Sequence, residues 1–203
     1  MKKVFLLAVL LQFTFTINAQ ECSTDNAVAF QKKINSEYAN PKESPLTKAD
    51  LKKFKSLEFY PIDTDFCVTA DFVRTPNEKP FAMPTTTNRM PMYVKYGELH
   101  FTLKGKKCKL DVFQNMTLSK IAEYKDHLFL PFTDLTSGDG SYGGGRYIDL
   151  TIPEGKTTIV DFNTAYNPYC VYNPTYSCPI PPEQNDLQVA VKAGVRDYKK
   201  NSK

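Results

Sequence analysis

Polar and reactive side chains crowd one stretch of the chain. Asp161, Asn163, Thr164, Tyr166 and Asn167 are followed by Cys170 and Cys178, with Pro168, Pro179, Pro181 and Pro182 among them. Proline lacks an amide proton and Asn-Pro favours turns, so this stretch is neither regular helix nor a central strand. A long ordered loop after a strand is expected. Irregular backbone inside a protein needs side chains or a ligand to satisfy its polar groups, and long loops are often functional. Either Asp161, Asn163 and Asn167 hydrogen-bond the loop's own backbone, or they face a ligand.

The ligand reading draws in upstream residues. Asp134, Tyr142, Arg146 and Tyr147 join Asp161, Asn163, Tyr166 and Asn167 as a candidate ligand-binding set. Tyr142, Tyr147, Tyr166, Tyr169, Tyr172 and Tyr176 offer contact area at low entropic cost. An aromatic-lined core edge is the alternative. The same region would serve a hydrolase in which Asp134, Asp149 or Asp161 acts as base and Arg146 holds a developing anion, provided that these groups converge in one cleft.

Other chemistries find less support in the residues. The segment Gly138 to Gly143 has the glycine spacing of a dinucleotide-binding loop, but it leads into the alternating strand pattern of Arg146 to Leu150 instead of a helix. It reads as a glycine-rich turn in which Gly143 to Gly145 would let a ligand approach backbone amides. Neither a flavin phosphate site nor a nucleophile elbow is legible. The two histidines, His100 and His127, lie in strand-like runs and read as packed or surface residues. No cofactor and no metal are expected.

Five cysteines stand at Cys22, Cys67, Cys108, Cys170 and Cys178, and the odd count leaves at least one unpaired. Cys170 and Cys178 lack the short spacing of paired zinc ligands. A disulfide between them, closing the proline-rich loop, is the favoured reading and would stabilise by about 2 to 3 kcal/mol in the loop-entropy account. Metal binding and two free thiols are the alternatives.

Disulfides imply an address, and the first residues supply one. Lys2 and Lys3 precede an apolar run from Val4 to Ile17, and Asn18 and Ala19 close it, so residues 1–19 read as a secretory signal peptide. The run is shorter than the roughly 20 residues of a membrane span. An exported protein, periplasmic or extracellular, is expected, in a compartment where disulfides persist. Glu21 before Cys22 argues against a lipid anchor. Without residues 1–19 the chain carries 24 basic and 22 acidic side chains, two lysines fewer than the full sequence. So small a surplus predicts no nucleic-acid partner. The expected partner is an unknown small molecule or an envelope component.

The elements that must position these residues follow from periodicity. Ala27, Phe30, Ile34 and Tyr38 form the stripe of an amphipathic helix over 24–39, a lid packed on the domain. Thr47 caps a second, short helix, with Asp50 three residues on and Leu46 and Leu51 bracketing the cap. Beyond Lys55 the texture changes to short runs of Val, Phe, Tyr and Thr broken by Pro, Gly and Asn. Strands are expected near 57–61, 66–74, 91–96, 98–104, 107–113, 127–132, 146–151, 157–161 and 187–193. Turns at Tyr96-Gly97 and Gly105-Lys106 would make 91–113 a three-stranded meander, its second turn flanked by solvated lysines. The fold class is mainly β: an N-terminal helical segment over 20–56, one antiparallel sheet or barrel-like domain over 57–194, and a polar tail, 195–203, expected to fray.

At Asp161-Phe162-Asn163, Ala165-Tyr166-Asn167-Pro168, Cys170 and Cys178-Pro179-Ile180-Pro181-Pro182 the sequence resembles a widespread bacterial family of unknown function. The likeness extends upstream through Tyr60 to Asp63, through Tyr96, Gly97, Leu99 and Phe101, through Leu128 to Phe132 with Asp134, Thr136, Ser137 and Gly138, and through Tyr142, Gly145, Arg146 and Tyr147, covering about residues 57–194. It implies that Arg146, Asp161, Asn163, Tyr166 and Asn167 belong to one shared arrangement, structural or functional. Two positions depart from the family pattern: Gln184 stands before Asn185 where the family has glutamate, and Val195 follows Ala193-Gly194 where it has another. A glutamine amide cannot exchange protons as a general acid does.

Overall fold

A computed structural model describes residues 22–198, so the expected signal peptide and residues 199–203 lie outside the described residues. Helix α1 (Thr24–Ala39) starts where Ser23 accepts the amide of Asp25 at 3.1 Å, and α2 (Lys48–Leu51) starts where Thr47 accepts that of Asp50 at 3.2 Å. The strands are β1 (Cys67–Arg74), β2 (Phe81–Ala82), β3 (Met92–Leu103), β4 (Lys106–Asn115), β5 (His127–Asp134), β6 (Arg146–Thr151), β7 (Thr157–Asp161) and β8 (Asp186–Leu187). They form one mainly antiparallel sheet in the order β6-β5-β4-β3-β1-β7; β2 pairs with β3, and the short β8 runs parallel to β5. The chain leaving β7 reaches β6 at the opposite end, where Tyr166 and Tyr147 exchange backbone hydrogen bonds of 2.9 and 3.0 Å. The two sheet edges are thereby drawn toward each other.

Alternation sorts side chains between two apolar faces. Leu128, Leu130 and Phe132 of β5 enter the main core with Leu110, Val112, Ile148 and Phe162. Phe129 of β5 and Tyr147 of β6 point the other way, into a smaller cluster with Met83, Tyr93 and Phe113. Because β5 is apolar on both faces, its sequence reads as an unbroken hydrophobic run.

The strands expected at 91–96 and 98–104 are one strand, β3. Tyr96-Gly97 is no turn: the register against β4 slips between Lys95 and Gly97, which is a bulge. The bulge moves odd-numbered residues from one face to the other, so Tyr93 joins the small cluster and Leu99 the main core. Glycine is required because a Cβ at residue 97 would lie 2.5 Å from the Phe72 ring and 2.8 Å from the Val73 carbonyl.

Two expected strands are not formed at their expected lengths. Over 57–61 there is a single bridge, Phe59 to Val195. Of 187–193 only the start belongs to a strand. Beyond it, side chains replace a neighbouring strand: the Val191 amide donates to Asp134 Oδ1 at 3.0 Å, and Arg146 takes the carbonyls of Val191 and Ala193. The start of the expected tail is also fastened, with Val195 buried, Arg196 N donating to Glu58 O and Tyr198 packed on Tyr172 at 4.8 Å.

The disulfide is not the expected one. Cys22 is bonded to Cys67, tying the start of α1 to the start of β1, whereas Cys170 and Cys178 carry free thiols. Those two lie side by side, with Cys170 N donating to Cys178 Sγ at 3.1 Å. The proline-rich loop is held by other means: Thr86 N donates to Cys178 O at 2.9 Å and Ile180 N to Pro84 O at 2.9 Å.

Candidate ligand-binding cleft

Helix α1 lies across the seam between the two drawn-together edges, and a cleft of about 360 Å³ opens beside it. The helix contributes Phe30, Lys33, Ile34 and Glu37; β3, β5 and β6 contribute Tyr93, His127, Phe129, Tyr147 and Asp149; the 166–179 loop contributes Tyr166, Tyr169, Tyr176, Ser177 and Cys178. A smaller cavity of about 290 Å³ on the β7 side shares Phe30, Lys33, Asp149 and Tyr166. The lid expected from the helical stripe therefore covers a real space. Its C-terminal half is anchored by Tyr38, edge-on to Tyr172 at 5.0 Å, and its N-terminus by the disulfide.

The polar centre is Asp149. Its Oδ1 meets Nε2 of His127 at 2.9 Å, and its Oδ2 accepts the hydroxyl of Tyr166 at 2.9 Å. These residues meet because β5 and β6 are in register with Phe129 opposite Asp149, which puts His127 diagonally across the same face. With Nε2 as donor, the His127 ring leaves Nδ1 as an acceptor. Burial, reinforced by the charge of Asp149, pushes the Tyr166 hydroxyl well above the usual tyrosine range. Burial likewise raises Tyr147, Tyr169 and Tyr93. The aromatic wall is thus neutral at physiological pH, and Tyr166 is a standing donor to Asp149.

The residues expected to hold a ligand divide into two groups. Tyr147 and Tyr166 line the cleft, while the others are committed to structure. Arg146 is fully buried, its Nη2 2.9 Å from Asp134 Oδ2 and 2.9 Å from Val191 O. Asp134 also accepts the amide and hydroxyl of Thr136 at 2.8 and 2.7 Å. Asp161 accepts the amide of Asn163 at 2.9 Å and its side-chain amide at 2.8 Å. Asn163 in turn brackets Asp63, accepting from its amide at 3.1 Å and donating to its carbonyl at 2.9 Å. Asn167 donates to Arg196 O at 2.9 Å. Tyr142 is half-buried and packs on Gly144. Asp161 serves the loop's own backbone, whereas Asn163 and Asn167 fasten the loop to the backbone of residues 63 and 196. The hydrolase grouping does not assemble, because Arg146 is fully buried and has no surface to offer an anion.

Reading the sequence missed His127 as a cleft residue and gave Asp149 only as one of three possible bases. Their two-residue diagonal across a strand pair becomes visible only once β5 and β6 are paired in the correct register. The glutamine at 184 also finds an explanation. Gln184 Nε2 approaches Asp111 Oδ2 at 3.4 Å beside the buried Asn185, so a glutamate there would set two carboxylates together.

A mainly-β domain with an aromatic cleft, in which most family-like polar residues serve the backbone, is the class that fold and site define. Residues 52–196 match the family described as a protein of unknown function, DUF1684, and the chain belongs to that family. It is similar to the solution NMR structure of an uncharacterised protein from gene locus rrnAC0354 of Haloarcula marismortui. The two share 32% identity over 85% of this chain and 92% of that one, with a TM-score of 0.66. No curated protein matches it. Helix α1, which covers the cleft, precedes the matched residues.

Proposed function

We propose that the protein is an exported binding module whose cleft beside α1 receives a small molecule in the periplasm or outside the cell. The observation that carries this reading is the aromatic cleft itself, with a half-exposed carboxylate held at its centre by His127 and Tyr166. Concave, largely apolar sites with a few convergent polar groups are where small ligands bind. The Cys22–Cys67 disulfide suits an oxidising compartment and supports export.

The hydrolase alternative through Asp134, Asp161 and Arg146 has lost its anion holder. Moved to the cleft, it would have His127 Nδ1 as base, but the neighbouring nucleophiles are poor. Burial pushes the Cys178 thiol up to about 12, and Ser177 is engaged with Thr85 and Thr87 at 2.9 and 2.6 Å. Binding is the reading that the residues support best.

Native mass spectrometry of protein purified from the exported fraction tests it. A small-molecule adduct that disappears in Tyr176→Ala is expected. An adduct that persists in that variant would place the ligand elsewhere.

A further inference from the structure

We propose that the cleft selects an organic cation, an amine or quaternary ammonium group on a small apolar body; this assignment rests on the binding reading above. The charges lining the cleft point to it. Lys33 faces Glu37 at 3.8 Å on the exposed side of α1, so the rim cation has a partner of its own. Asp149 is half-exposed and receives hydrogen bonds from an imidazole and a phenol. A carboxylate has about four lone-pair sites, so these two donors fix its position and leave room for a ligand's N–H or for direct ion pairing. An anionic ligand would meet that charge unfavourably. A neutral one would gain a hydrogen bond without the charge attraction.

The rings supply the second observation. Tyr169 and Tyr176 stand edge-to-face at 67° with centroids 5.3 Å apart, and Tyr169 is 41% exposed, whereas Tyr147 is buried against Phe129 and Tyr166. In such edge-to-face pairs the ring that gives its edge keeps its own face uncovered by its partner. Four of the protein's own cations lie over rings elsewhere: Arg74 over Tyr96, Lys104 over Phe66, Arg146 over Phe132 and Arg196 over Tyr60. Among the described residues no lysine or arginine lies over a ring of the cleft. Electron-rich neutral faces beside one fixed carboxylate are the combination that recognises ammonium groups.

Calorimetric titration of the intact protein with benzyltrimethylammonium, benzyl alcohol and benzoate separates the possibilities. The cation is expected to bind at least about tenfold more tightly than either of the others. Asp149→Asn is expected to weaken the cation by about tenfold or more while changing benzyl alcohol by less than about twofold. Added salt should weaken the cation and spare the alcohol, a readout that needs no variant. Alcohol or benzoate binding as tightly as the cation, or a cation insensitive to both Asp149→Asn and salt, overturns the assignment. If the alcohol then still depends on Tyr176, the cleft reading stands without the cation. If none of the three binds, both fall.

Discussion

Arg146 reaches Asp134 at 2.9 Å with both side chains shut off from water. The pair closes a circuit in which the Asp134 carboxylate also takes the amides of Thr136 and Val191, and the guanidinium takes the carbonyls of Val191 and Ala193. A strandless segment is thereby locked onto β5 and β6. Removing one partner strands a buried charge, which typically costs about 3 to 5 kcal/mol. Arg146→Met and Asp134→Asn should each lower the urea midpoint accordingly, and the double variant should cost less than the sum. Single losses under about 1 kcal/mol would mean that the charges reach water.

The cysteine arrangement predicts a definite thiol count. Reduction of the denatured protein should add about 2 Da, mapped to the Cys22 and Cys67 peptides, leaving Cys108, Cys170 and Cys178 alkylatable beforehand. In the native state Cys178 should react slowest, because burial keeps its thiol protonated with a pKa near 12. A gain of about 4 Da would show a second bridge in the loop.

Acid stability should carry the mark of Glu98. The hydrogen bond from Lys95 at 2.6 Å, aided by His100 and Lys109, holds its carboxyl down at about 2 against a usual 4.5. A depressed folded-state value means that the stabilisation is full above the unfolded value and is lost as pH falls through the folded one. Stability should therefore decline between about pH 4.5 and 2, more steeply in the wild type than in Glu98→Gln. Equal slopes in thermal melts across that range would contradict the assignment.

Gly97→Ala should destabilise by about 1 to 3 kcal/mol, since the added methyl meets the Phe72 ring and a backbone carbonyl. The companion Phe72→Ala should soften that penalty by removing the ring. Chemical denaturation of both, singly and together, gives the coupling.

How much of this was legible varies by element. The 24–39 helix was legible from the helical period of Ala27, Phe30, Ile34 and Tyr38, while its Ser23 cap emerged only in the structure. Gly97 misled, because a glycine between two apolar runs looks the same whether it turns the chain or lets a ring approach. The cysteine pairing was hidden for a different reason: nearness in sequence favoured Cys170 and Cys178, while the partner of Cys22 depends on where α1 lies. The cleft was half-visible. Its tyrosines are legible as contact residues, whereas the burial of Arg146 depends on where the segment carrying Val191 and Ala193 packs.

Small-molecule binding in the space beside α1 underlies the proposed function. Its most direct test is two-dimensional NMR of the isotopically labelled protein titrated with a library of small aromatic and aliphatic amines, alcohols and acids. Shift changes gathered on His127, Asp149, Tyr166, Tyr169 and Tyr176, and weakened by Tyr176→Ala, are the predicted result. Changes scattered over the surface, or gathered away from the cleft, would contradict it.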